Sequence, residues 1–160
     1  MSQTNFQKFS DNYTSEDFDK IKFDWNGLHG DKLHDNNMEF RTQLCEYLIP
    51  QLDKIRLDLI RDLYVETAKS AKETWGIYNK FHLFGDQLLR RGLTTYLFDY
   101  LEGASKSMDT LMASARLTIT KDQATQILDF VNHKLNEDLS EKERTLLEQL
   151  ARPRFLKFAK

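Results

Sequence analysis

The chain has one cysteine, two prolines and six glycines in 160 residues. A single thiol, Cys45, closes neither an intramolecular disulfide nor a cysteine-based zinc site, so the expected compartment is the reducing cytoplasm. So little proline and glycine excludes collagen-like and proline-rich architectures and leaves few of the tight turns an all-β fold needs. No run of 18 apolar residues occurs, which disfavours a membrane span, and MSQTNFQKFSDNYTSEDF lacks the basic stretch and apolar core of a secretory leader. An excess of one charge is missing too. With 23 Lys and Arg against 25 Asp and Glu, the net charge of −2 creates no global field favouring nucleic acid or an anionic membrane.

What is present is 40% apolar and 30% charged residues, enough for one packed core and a solvated surface at a length of about one domain. The expected fold is all-α: a bundle of about five or six helices over residues 37–160, preceded by a polar N-terminal arm over residues 1–36. In the first twenty residues Phe6, Phe9, Tyr13 and Phe18 suggest no periodic face, and residues 1–40 carry eight acids and four lysines. Ile21, Phe23 and Trp25 alternate with Lys22 and Asp24 before Asn26-Gly27, the pattern of a short strand entering a turn over residues 21–27. No convincing second strand follows, so a hairpin is the lesser reading.

From Met38 the apolar spacing is helical. A first helix runs to about Ile49, where Pro50 interrupts it. The segment from Gln51 to about Leu83 reads as one long central helix, with Ile60, Tyr64, Ala71, Trp75, Tyr78 and His82 on a stripe that places Trp75 and Tyr78 in the core. Gly85-Asp86 reads as a break before a helix over about Gln87–Glu102, Gly103 as another break, and Met108 to about Arg116 as either a fourth helix capped by Ser105 or a bent continuation. Thr120 to Gln123 and Ser140 to Glu143 have the spacing of capping boxes; they open helices ending near Asn136 and near Arg152-Pro153.

Motifs that carry chemistry are scarce. There is no GxxxxGK[ST], GxGxxG, HExxH, GxSxG or CxxC, and no histidine has Glu three residues before it, as a di-iron bundle would want. Asp129, His133 and Glu137 recur every four residues, but they lie opposite Leu128, Val131 and Leu135 and read as a solvated face before a metal site. His82, beside Tyr78 and Trp75, has no legible carboxylate or nucleophile partner and reads as a core-edge histidine. Cys45 reads as a small buried hydrophobe. The last two helices with Arg152, Arg154, Lys157 and Lys160 resemble a helix-turn-helix with a basic tail, but Glu141, Glu143 and Glu148 would repel phosphates from the reading helix.

Aromatics off the stripes are the more informative feature. Phe98 and Phe130 sit away from the apolar faces of their helices, and Phe155 with Phe158 forms an apolar cluster beyond the last clear helix. The expected function is therefore a non-enzymatic protein-binding module of regulatory, adaptor, antitoxin or immunity type. It would use no cofactor and act on another protein, or on a second copy of itself, through Phe98, Phe130, Phe155 and Phe158 and the acidic arm. The alternatives are a nucleic-acid binder using the C-terminal helical pair, and an enzyme or metal protein using His82 or His133.

Overall fold

A computed structural model describes residues 2–160, and among them the chain is helical with no strand. The helices are α1 (Gln3–Asp11), α2 (Met38–Leu48), α3 (Leu57–Thr74), α4 (Phe81–Gly92), α5 (Leu97–Ala104), α6 (Met108–Ser114), α7 (Lys121–Lys134), α8 (Glu141–Thr145) and α9 (Arg152–Ala159), with short 3₁₀ turns between several of them. The longest, α3, packs against α4 and α5, α4 packs against α6, and α7 runs along α9.

The single helix expected over Gln51–Leu83 is three pieces. Pro50 opens a 3₁₀ turn, Ile49–Lys54, α3 follows, and the chain leaves α3 at Trp75 in the left-handed conformation (φ 57°, ψ 30°) before α4 begins at Phe81. Trp75 is therefore 88% exposed instead of core, because the stripe that predicted its burial ends one residue earlier. Gly85 and Gly103, read as breaks, lie inside α4 and α5. Their lack of a side chain serves a close approach. A Cβ on Gly103 would lie 2.2 Å from Tyr64 Cε1, and one on Gly85 would lie 2.9 Å from Tyr64 Cε2. The Tyr64 ring stacks between Phe81 at 4.6 Å and Tyr100 at 6.0 Å, and its hydroxyl donates to the Tyr100 carbonyl at 3.0 Å.

Both capping boxes form: Thr120 and Ser140 accept from the amides of Gln123 and Glu143, whose side chains return to the cap amides. The short helix α6 is capped by Ser107, not Ser105. The last helix passes Arg152-Pro153. A π-helical segment, Leu146–Ala151, joins α8 to α9, and this wider turn admits Pro153, which has no amide to bond one turn back.

The N-terminal arm is folded onto the core. Phe6, Tyr13 and Ile21 are buried, and Tyr13 donates to Asp62 at 2.6 Å. The expected strand at 21–27 reduces to one antiparallel bridge, between Trp25 and Asp35.

Candidate functional site

None of the four expected partner-binding aromatics is an exposed side chain. Phe155 is fully buried, its ring 6.2 Å from that of Tyr100, because the helix continues through it. Phe98, Phe130 and Phe158 are half-buried on α5, α7 and α9 and pack against the same core, with the Lys134 ammonium 5.7 Å from the Phe130 ring. Phe158 borders a groove.

His82 is half-buried near the start of α4, and its buried Nδ1 has no hydrogen-bond partner. Burial, then the nearby Arg116 charge, holds its pKa below the ordinary 6.5. No nucleophile or carboxylate accompanies it as a hydrogen-bond partner. His133 is exposed, 3.6 Å from Glu137 alone, and among the described residues no cluster of three metal-ligating side chains occurs. Cys45 is buried, and desolvation pushes its thiol up to about 12, so it is inert at neutral pH. The C-terminal pair forms an antiparallel hairpin: Lys121 Nζ at the start of α7 reaches the Lys160 carbonyl at 3.1 Å, and Arg152 reaches Asn132 at 2.9 Å. That differs from the steep crossing of a helix-turn-helix.

The surface feature that stands out is built from the loop between residues 21 and 37 and the end of α3. Arg41 on α2 is buried and bonds Asp35 at 2.5 Å and the Ile21 carbonyl at 3.2 Å. Asp35 in turn accepts from the amides of Asp24 and Asn37. Buried Glu66 on α3 accepts from the Phe23 amide at 2.8 Å and from Lys69 at 2.6 Å. Inside the loop, the Asn26 side chain accepts from the amides of Leu28 and His34 and donates to the Lys32 carbonyl, while Gly27 and Gly30 turn the chain at φ 78° and 63°. Three buried charged residues, Asp35, Arg41 and Glu66, and an internal polar knot thus hold a loop that contributes few side chains to the core.

Among its exposed polar residues this loop presents one apolar group around Trp25 and Leu28. Trp25 donates its indole N–H to the Leu28 carbonyl at 2.7 Å, stacks on Phe23 at 6.0 Å and meets His29 edge-on at 5.0 Å. Leu28 is about half exposed. Across from the loop stands Trp75, and His29, Leu33, Glu73 and Trp75 border a cleft of about 470 Å³. The connector after Trp75 is fixed as well, since Glu46 on α2 accepts from the Tyr78 hydroxyl at 2.6 Å and from Lys80 at 2.7 Å. Those two bonds hold the Glu46 carboxylate below its ordinary pKa, so it stays charged at neutral pH.

Sequence reasoning missed this site because it assigned Trp75 to the core and residues 1–36 to an arm. The available signal was Trp75-Gly76, a glycine directly after a helical stripe. No known protein family matches the chain, and no curated protein or solved structure is significantly similar to it.

Proposed function

We propose that the protein is a non-enzymatic binding module for another protein, of regulatory or adaptor type, and that its recognition surface is the face of Trp25, Leu28 and Trp75. One observation carries this reading: a bulky aromatic held in the left-handed conformation and 88% exposed at the mouth of a cleft. Left-handed backbone costs a non-glycine residue about 1–2 kcal/mol, and Trp75 buries too little surface to repay it within the fold. Exposed, rigidly positioned tryptophans are the side chains on which interface energy concentrates. The buried and unpaired Cys45 supports a cytoplasmic setting, where thiols stay reduced.

The test separates binding from folding. Trp75→Ala leaves the thermal midpoint near that of the parent, and Trp75→Gly raises it, corresponding to about 1 kcal/mol of relieved strain. Both variants, and Leu28→Asp, lose whatever protein the parent chain captures from its native host. Capture that survives all three substitutions overturns the assignment. A concentration-dependent dimer that Trp75→Ala dissociates in sedimentation identifies the partner as a second copy.

A further inference from the structure

A second exposed apolar surface lies away from the loop, on α6 and the C-terminal helix. Met108 and Met112, one turn apart on α6, are 71% and 67% exposed. Leu111, Met112 and Ala115 form one wall of a groove of about 470 Å³, and Leu150, Pro153 and Phe158 contribute to the other. Methionine is flexible and polarisable, so Met112 on this wall adapts to apolar side chains of varied shape.

The charge in this groove is one-sided. Arg154 and Lys157 are its only charged lining residues. Arg154 is half-buried, and its guanidinium donates to the Tyr100 hydroxyl at 2.7 Å, the Ser114 hydroxyl at 2.8 Å and the Leu111 carbonyl at 2.8 Å, all neutral acceptors. Among the described residues neither cation has a carboxylate within ion-pair distance. The acids on the same elements, Asp109 and Glu148, do not line the groove, and Glu148 faces Arg144 at 3.6 Å. A partly desolvated cation whose hydrogen bonds hold it in place without neutralising it attracts an anion from outside.

We infer that this groove docks an acidic amphipathic helix of a partner protein, its apolar face on Met112, Leu150 and Phe158 and its carboxylates facing Arg154 and Lys157. The surface is independent of the Trp75 face, and together the two would let the chain hold two partners. The occupant follows from the chemistry of the walls: an apolar groove selects a helix with an apolar stripe, and the uncompensated cations select Glu or Asp beside that stripe.

The experiment uses the full chain and synthetic helical peptides of about sixteen residues, roughly four turns. One carries Leu on one face flanked by Glu, a second has Lys in place of every Glu, and a third scrambles the Leu positions. Titration calorimetry is expected to show binding of the Glu peptide that weakens as salt is raised, with the other two weaker by about tenfold or more. Met112→Asp abolishes binding, and Lys157→Glu shifts the preference toward the Lys peptide. Met112 is largely exposed, so the thermal midpoint of Met112→Asp stays near the parent's; if it does not, Lys157→Glu, also exposed and lining the groove, carries the test. The inference is overturned if no peptide binds, if the Glu and Lys peptides bind alike, or if the substitutions leave binding unchanged. It is equally overturned if phosphatidylserine vesicles bind through Met112 while the Glu peptide does not, or if sedimentation shows a dimer that Met112→Asp dissociates.

Discussion

At the scale of single residues, the buried polar side-chain atoms of the described residues divide into those the fold satisfies and one it leaves open. Asp86 is buried, yet it accepts from the Thr118 amide and hydroxyl at 2.6 and 2.7 Å. His82 has no such compensation at Nδ1. Because its native pKa is lowered by burial and by Arg116, the folded chain binds a proton there less readily than the unfolded chain. Above 6.5 the imidazole is neutral in both states and contributes nothing to the pH dependence. Below 6.5 the unfolded state takes up the proton first, so stability falls as pH drops through this window toward the native pKa. The expected outcome is that His82→Gln flattens the pH dependence of the thermal midpoint below 6.5. Parallel melting curves for parent and variant across that window would show that the native imidazole titrates normally.

At the scale of elements, the helical class, the two capping boxes and the Pro50 break were legible in the sequence, whereas the glycine breaks and the Ser107 cap were not. Thr120 and Ser140 announce their helices because a capping box is a local motif that needs only four residues. Glycine is ambiguous. Gly76, after Trp75, does mark the end of α3, but Gly85 and Gly103 are glycines because Tyr64 crosses α4 and α5 at a distance no side chain allows. A long-range contact of that kind leaves no trace in spacing or composition. Gly103→Ala is accordingly expected to destabilise by about 1–3 kcal/mol through overpacking, despite alanine's better helix propensity. Gly103→Ala in a Tyr64→Phe background would still clash, since the closest atom is a ring carbon, while Tyr64→Leu should recover part of the loss. Denaturant unfolding of the single and double variants measures this coupling, and a stabilised Gly103→Ala would show that the glycine is a helix weakness and not a packing requirement.

At the scale of the whole molecule, one core runs from the first helix to the last, and buried Phe6 and Phe155 belong to the same cluster. The polar appearance of the first twenty residues concealed this, although Phe6, Phe9 and Tyr13 are spaced by three and four, as one helical face requires. Three side-chain bonds reinforce the packing: Tyr13 to Asp62 at 2.6 Å, Arg56 to the Tyr13 carbonyl at 2.7 Å and Tyr47 to Gln7 at 2.5 Å. Burying a large apolar side chain contributes about 1.5–3 kcal/mol, and residues 1–20 supply two that are buried, Phe6 and Tyr13, with Phe9 and Phe18 partly so. Their sum approaches the total stability of about 5–15 kcal/mol expected of a single domain. Deleting residues 1–20 should therefore lower the thermal midpoint by about 10 °C or more, followed by circular dichroism, and should expose apolar surface on α2 and α3 that binds a hydrophobic dye. A midpoint within a few degrees of the parent's would mean that the aromatics of α1 contribute little and that the segment is a detachable arm after all. The same deletion leaves the chain of Asp35, Arg41 and Glu66 in place, so any loss of recognition at the Trp75 face beyond the loss of stability would show that α1 also positions the loop.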